Sequence, residues 1–317
     1  MNQIRNLFRF MVVLAAFYAL GGQSLLAASG DDGTIVQREA YTYLPYEEAP
    51  WLAKYYSKEK YERVVADGKF RFEKLIYLSD GLRVVAYLYT PKEIKGKRYP
   101  AIVFNRGSYV VGDIGSALAP LFHHLASQGF VVLAPLYRGS VGGEGRDEMG
   151  GEDLNDLMNV LPLLRALEFI DMENLFMYGE SRGGMMTYQA IRDGFPLRAA
   201  AVFGAFTDLE AMLNSDPRYQ QMAHTIWPEF ETKREEIVKR RSAVLWAERV
   251  NVPILIMHGG ADSQIDPSQS LRMAQQLQQL GKTYELVIYG GDTHILSCNQ
   301  GDRDKKTVAW FIKFMQE

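Results

Sequence analysis

The sequence feature that most constrains the fold is a serine enclosed by glycines, Gly179-Glu180-Ser181-Arg182-Gly183. An apolar run at residues 174–178 precedes it and has the character of a buried strand, while residues 183–192 have helical periodicity. A serine on such a strand-to-helix turn is held out of the sheet in strained backbone, which requires small residues two positions to either side. The pattern therefore predicts that Ser181 is a nucleophile, and we interpret Glu180 as a support for the turn.

Short apolar runs alternate with amphipathic segments over most of the chain. Strands are predicted at residues 101–104, 130–135, 174–178, 199–203, 253–258 and 284–289, and helices at 117–128, 153–167, 183–192, 268–280 and 303–315. This alternation is typical of the α/β class, with a mainly parallel sheet covered by helices on both faces and sites at the carboxyl ends of the strands. Residues 70–78 and 82–90 flank a Ser79-Asp80-Gly81 turn and predict an antiparallel hairpin.

The first 28 residues have the layout of a secretory signal peptide. Arg5 and Arg9 precede an apolar run at residues 10–20, and small residues follow at Ala27-Ala28-Ser29. We expect cleavage near Ala28 and a periplasmic or secreted protein that is free of the membrane after cleavage. An uncleaved N-terminal anchor is the alternative.

The remaining chain is divided by its composition into an extension and a main domain. Trp51, Leu52, Tyr55 and Tyr56 recur at helical spacing, which predicts a helix at residues 47–65 within an N-terminal helical extension, residues 29–69, that packs on the main domain. Residues 70–317 are predicted to be the catalytic domain, with a polar helical insertion at about residues 208–250. Such an insertion either covers a site or is a plain surface excursion.

Composition excludes several functions. The formal net charge is -3 and no long basic run exists, so we expect no nucleic-acid partner. Cys298 is the single cysteine, which rules out an intrachain disulfide, and no zinc-binding spacing is present. We therefore expect no metal.

A nucleophilic serine needs a base, and the base needs an orienting acid. On this type of turn the order along the chain is serine, acid, histidine. His294 follows the last predicted strand and is the expected base, and Asp262 follows the strand that ends at His258 and is the expected acid. Asp208, Asp266 and Asp292 are the competing acids. We interpret His258, which precedes Asp262, as a structural residue of the acid's loop.

The negative charge that develops on a carbonyl oxygen during acyl transfer needs preorganised donors. The main-chain N–H of Arg182 is expected to be one of them. The second is expected in the loop after the first central strand, either the main-chain N–H of Arg106 or the side chain of Tyr109. We also consider the hypothesis that the Arg182, Arg106 or Arg138 side chain faces the site and favours acidic substrates.

These motifs together resemble those of the prolyl oligopeptidase family of serine peptidases. The resemblance runs from about residue 69 to the C-terminus and rests on Gly179-Glu180-Ser181-Arg182-Gly183-Gly184, His258-Gly259-Gly260-Ala261-Asp262 with Ile265, Thr293-His294, and Tyr137-Arg138-Gly139-Ser140 with Gly142-Gly143. It implies the α/β-hydrolase fold and cofactor-free hydrolysis of peptide bonds in short peptides through an acyl-enzyme on Ser181.

The chain departs from the family pattern in three places. The N-terminal extension is too short for the β-propeller that many relatives carry. Asn105-Arg106-Gly107 stands where the family often has His-Gly-Gly, and Arg182 stands where an aromatic residue is common. These departures leave a carboxylic-ester hydrolase, such as a deacetylase, as the alternative for the same three residues. A non-catalytic binding module on this fold is the alternative from another class.

Overall fold

The computed structural model describes residues 31–109 and 111–317. The predicted signal peptide and its cleavage site lie outside these residues. Within the described part of the chain, no helix has the length and apolar character needed to span a membrane.

A single nine-stranded sheet forms the centre of the molecule, in the order β1-β2-β3-β5-β4-β6-β7-β8-β9. Its strands are β1 (Ile35–Ala40), β2 (Phe70–Ser79), β3 (Leu82–Pro91), β4 (Tyr99–Asn105), β5 (Val131–Pro135), β6 (Ile170–Glu180), β7 (Ala199–Phe203), β8 (Ile254–Gly259) and β9 (Tyr284–Tyr289). The pairs β1–β2, β2–β3 and β3–β5 are antiparallel, and the other pairs are parallel. The predicted fold class and hairpin are confirmed.

Helices cover both faces of the sheet. They are α1 (Lys58–Ala66), α2 (Gly115–Ser127), α3 (Asp153–Met158), α4 (Val160–Ala166), α5 (Arg182–Arg192), α6 (Leu209–Ser215), α7 (Pro217–Ile226), α8 (Phe230–Arg241), α9 (Ser268–Gln279) and α10 (Gln300–Lys313). Strand side chains alternate between the two apolar layers, so that Met177 packs with α5 while Phe176 and Tyr178 pack with α2 and α10.

The helix predicted at residues 153–167 is two helices, α3 and α4, that meet at Asn159. Pro162 lies in the first turn of α4 and has no N–H to donate to the carbonyl four residues earlier. A continuous helix would also place the proline ring against that carbonyl. The break therefore has a local cause.

The helix predicted at residues 47–65 is present only in its last part, as α1, and the N-terminal extension also contains a strand that was not predicted. Residues Ile35–Ala40 form β1, which pairs antiparallel with the outer edge of β2. Nearly every side chain of β1 is exposed, so the strand has no alternating apolar pattern by which the sequence reveals it. Between β1 and α1 the chain makes two 3-10 turns, Tyr46–Glu48 and Pro50–Lys54, in place of the expected α-helix. The insertion at residues 208–250 is helical as predicted.

Candidate active site

Ser181 occupies a sharp turn between β6 and α5. Its backbone has φ 52° and ψ −119°, a conformation that a residue with a side chain rarely adopts. The Ser181 N–H donates to the Phe203 carbonyl of the neighbouring strand β7 at 2.9 Å, which fixes the turn to the sheet. Strain retained at one residue between regular elements is a common feature of functional sites.

The three glycines around this turn are required by close contacts. A Cβ added to Gly183 would lie 2.0 Å from the Asn105 carbonyl oxygen, and one on Gly179 would lie 2.5 Å from the Gly183 oxygen. A Cβ on Gly184 would lie 2.3 Å from the Cβ of Ala205 on the next loop. The glycines of the motif thus allow α5 to pack directly on the ends of β4, β6 and β7.

His294 and Asp262 are joined by a short hydrogen bond. His294 Nδ1 lies 2.7 Å from Asp262 Oδ2, and both residues are buried. A carboxylate accepts hydrogen bonds, so Nδ1 carries the proton and Nε2 is left with a free lone pair. Nε2, the nitrogen that would accept a proton from the nucleophile, is therefore directed away from Asp262.

Further donors hold Asp262 in place. Its Oδ1 accepts the main-chain N–H groups of Gln264 and Ile265, at 2.8 and 3.0 Å, and its Oδ2 also accepts from His258 Nε2 at 3.0 Å. Although burial opposes ionisation, these hydrogen bonds and those from the two histidines hold the pKa of Asp262 well below its usual range. The acid is therefore charged at neutral pH.

His258 is fixed from both sides of its ring. Its Nδ1 lies 2.6 Å from Ser270 Oγ, and its Nε2 lies 3.0 Å from both Asp262 Oδ2 and the Ile265 carbonyl oxygen. Two acceptors at one nitrogen require that Nε2 carry the proton. His258 therefore acts as a hydrogen-bonded brace within the loop of Asp262.

The competing aspartates have other partners. Asp208 caps α6 through the Ala211 N–H and pairs with Arg272. Asp292 accepts hydrogen bonds within the loop that carries His294, and Asp266 accepts the Ser268 N–H before α9. Of the four candidates, Asp262 is the one that contacts His294.

Ser181 and His294 converge on Gly204, the residue after β7. Gly204 has φ +56°, and a Cβ there would lie 3.1 Å from His294 Cε1 and Nδ1. Ser181 is anchored one residue away, on the Phe203 carbonyl. No hydrogen bond joins the Ser181 hydroxyl to the His294 ring in this structure, a contact that often forms only when substrate is bound. In the sequence, Gly204 could be recognised only as a glycine that follows a predicted buried strand.

The hypothesis that Arg182, Arg106 or Arg138 faces the substrate is wrong, because all three side chains are buried and engaged. Arg182 pairs with Asp147 and Asp153 at 2.6 Å each, and Arg138 pairs with Asp156 at 2.8 Å. Arg106 donates mainly to main-chain carbonyls. Arg106 and Arg182 both lie over the Tyr137 ring, at 4.8 and 4.7 Å from its centroid.

Arg106 instead shapes the loop after β4. Its Nη1 donates to the carbonyls of Gly107, Ser108 and Tyr109 at 3.0, 3.2 and 2.6 Å. In a trans peptide the C=O and N–H point in opposite directions, so the N–H groups of Ser108 and Tyr109, which follow the first two of these carbonyls, point away from the guanidinium. The Tyr109 hydroxyl donates its only proton to the Asp147 carbonyl at 2.9 Å.

Gly107 of this loop lies against the nucleophile, a position that the sequence did not reveal. A Cβ on Gly107 would lie 3.2 Å from Ser181 Cβ. The main-chain N–H groups of Gly107 and Arg182 have no acceptor among the described residues. The sequence pointed to Arg106 and Tyr109 in this loop and not to Gly107, because a sequence does not show which loop residue approaches the serine.

No group of three or more His, Cys, Asp and Glu side chains within residues 31–109 and 111–317 is arranged to hold a metal ion.

A serine on a strained turn and a charged acid–histidine pair at the same end of a mainly parallel sheet define the class of the protein, a serine hydrolase of the α/β-hydrolase fold. Solved structures agree with the fold. The acylaminoacyl peptidase of Pyrococcus horikoshii superposes with a TM-score of 0.66 at 20% identity, over 78% of this chain and 42% of that one.

The chain belongs to the prolyl oligopeptidase family, whose model matches residues 119–317. It is 28% identical to the uncharacterized peptidase YtmA of Bacillus subtilis (strain 168), over 77% of this chain and 93% of that protein. A puromycin-hydrolyzing peptidase of Mycobacterium tuberculosis is 26% identical with a TM-score of 0.64, over 74% of this chain and 37% of that one. Acylamino-acid-releasing enzyme 1 of Oryza sativa subsp. japonica is 23% identical, over 82% of this chain and 36% of that protein. The chain thus spans little more than a third of the latter two relatives.

Proposed function

We propose that this protein hydrolyses peptide bonds of short peptides through an acyl-enzyme on Ser181. The observation that carries the proposal is the 2.7 Å hydrogen bond between Asp262 and His294, at the end of the sheet where Ser181 occupies its strained turn. The comparisons support the reaction type, since the relatives that match are peptidases or acylamino-acid-releasing enzymes.

The geometry gives each residue a role. Ser181 Oγ attacks the scissile carbonyl carbon while its proton passes to His294 Nε2. Asp262 stays ionised and stabilises the imidazolium through Nδ1–H. The imidazolium then protonates the leaving amine, and a water molecule, deprotonated by the same histidine, releases the acyl group and restores Ser181.

We further propose that the main-chain N–H groups of Arg182 and Gly107 bind the oxyanion. Both are without an acceptor in the described chain, and Gly107 lies against Ser181. The first N–H groups of a helix have no intrahelical partner and are well suited to a developing negative charge. The side chains of Arg182 and Arg106 are positioning groups that hold the surrounding backbone.

A matched pair of substrates tests the proposal. The protein is assayed on an ester and on an anilide that share one acyl group, and Ser181→Ala is the blank. We expect the parent to cleave both and the variant to cleave neither above about one part in a thousand. Cleavage of the ester alone would identify a carboxylic-ester hydrolase that uses the same residues.

We also propose that the protein is exported and that the chain released is periplasmic or secreted. The proposal is supported by the charged, apolar and small-residue regions of the first 28 residues. Cell fractionation and N-terminal sequencing of the native protein test it. The expected result is an extracytoplasmic protein that begins near Ser29, and a cytoplasmic protein that begins at Met1 would contradict it.

A further inference from the structure

The residue before the nucleophile, Glu180, has a carboxylate without a partner. Among the described residues it accepts no hydrogen bond and forms no ion pair, so it does not support the turn as its sequence position suggested. It is the last residue of β6 and pairs with Phe203 in β7. Because strand side chains alternate, Glu180 lies on the same face of the sheet as Tyr178.

The Glu180 side chain lies beside the reacting centre. A Cβ on Gly107 would be 3.2 Å from Ser181 Cβ and 3.5 Å from Glu180 Cγ, so the two side chains flank the same glycine of the proposed oxyanion loop. Glu180 is only partly buried. A group bound to this carboxylate would therefore lie next to the scissile bond.

The basic residue that acts electrostatically on Glu180 does not form an ion pair with it. Arg303 of α10 acts on Glu180 electrostatically, but its guanidinium is held by Asp304 at 2.7 Å and by the Ile295 carbonyl oxygen at 3.2 Å. Burial raises the pKa of Glu180 although the charges of Arg303 and His294 act in the opposite direction, so the ionised carboxylate is only partly compensated. A bound cation in direct contact would complete this compensation.

We infer that Glu180 forms a subsite that selects substrates carrying a cationic nitrogen close to the scissile bond. The nitrogen is either a free α-amino group or the side chain of a lysine or arginine, since both offer N–H donors and a positive charge. This inference rests on the proposed peptidase function. It makes Glu180 a specificity-determining residue, whereas Ser181 and His294 carry out the chemistry.

Four fluorogenic peptides of equal length test the inference. One is uncharged, one has a free amino terminus, and the other two carry a lysine on the acyl side or on the leaving-group side. The value of kcat/KM for each is measured with the parent protein and with Glu180→Gln, Glu180→Asp and Glu173→Gln. Glu173 is the matched control, because it is exposed in the same strand, about 20 Å away.

The parent is expected to favour at least one cationic peptide over the uncharged one by about tenfold. That ratio should fall to near one in Glu180→Gln, persist in part in Glu180→Asp, and remain unchanged in Glu173→Gln. The preferred peptide identifies which cationic group binds. Hydrolysis by the parent without any charge preference, or a preference that Glu180→Gln retains, would overturn the inference and leave the peptidase function intact. If the parent hydrolyses none of the four peptides, both proposals fail.

Discussion

At the scale of single residues, Asp262 joins the catalytic histidine to the loop that carries the acid. Two main-chain N–H groups and two histidine rings surround its carboxylate. The same contacts that orient His294 therefore also contribute to the stability of the folded chain. Function and stability are linked at this one group.

Asp262 makes the stability of the protein depend on pH. Its pKa is lowered on folding, so its contribution is fully present above the pKa of an unfolded aspartate, about 4, and is lost as the pH falls further. We expect the difference in unfolding free energy between the parent and Asp262→Asn to shrink by about 1 kcal/mol from pH 6 to pH 3. Urea unfolding at both pH values measures it, with Asp31→Asn as the exposed control. A difference that grows on acidification would contradict the assignment.

The ion pair of Arg182 with Asp147 and Asp153 is completely buried, unlike that of Arg218 with Asp216 on the surface. Removing one partner of a buried pair leaves an uncompensated charge. Arg182→Met should therefore lower the free energy of unfolding by about 3 kcal/mol or more, and the exposed match Arg218→Met by less than about 1 kcal/mol. Equal losses in urea unfolding would show that the Arg182 network is not structural.

At the scale of secondary-structure elements, the contact between α5 and the ends of the strands determines where the serine lies. Gly183 and Gly184 let the first turn of α5 approach β4 and the loop after β7. Gly259, the last residue of β8, likewise allows a close contact between backbones, since a Cβ there would lie 2.2 Å from the Thr293 carbonyl oxygen. The loop of Asp262 and the loop of His294 are thereby packed against each other.

A pair of matched glycine variants tests this packing. Gly183 and Gly301 are each the second residue of a helix, but a Cβ on Gly301 meets nothing within 4 Å. Gly183→Ala should cost about 3 kcal/mol of stability and most of the activity. Gly301→Ala should be neutral or stabilising by up to about 1 kcal/mol. A Gly183→Ala protein with parental stability and rate would refute the close approach.

The sequence predicts those elements whose burial leaves a periodic pattern. The central strands, the hairpin and most helices have one, whereas β1 is an exposed edge strand and has none. All four candidate aspartates lie between Ser181 and His294, so the order of serine, acid and histidine does not separate them; the position of Asp262 in the loop after the strand that ends at His258, together with the family motif, selects it. The sequence was not enough for the arginines, because nearness to a motif in the chain does not tell whether a long side chain turns toward substrate or toward buried carboxylates. Gly107 was missed for a related reason, since loop direction depends on the contacts of Arg106.

At the scale of the whole molecule, the insertion is attached to the segment that supports the site. The Trp227 indole N–H donates to the Glu148 carbonyl at 2.7 Å, and Arg241 Nε donates to the Met149 carbonyl at 2.6 Å. Asp147, in the same segment, holds Arg182. The insertion is thus part of the framework behind the nucleophile's helix.

Hydrogen exchange tests whether the insertion behaves as framework. If it does, the main-chain amides of α8 should exchange as slowly as those of the central strands, because they open only with the rest of the molecule. The exposed strand β1 should exchange faster and serves as the internal reference. Exchange of α8 faster than β1 would indicate an independently opening lid.

The central claim is that Ser181, activated by His294 and Asp262, is the nucleophile. The most direct measurement is covalent labelling with a serine-directed fluorophosphonate, followed by intact mass and peptide mapping. We predict one adduct per chain, located on Ser181, no adduct in Ser181→Ala, and labelling slowed by about three orders of magnitude or more in Asp262→Asn. Labelling of another residue, or equal labelling of Ser181→Ala, would contradict the account.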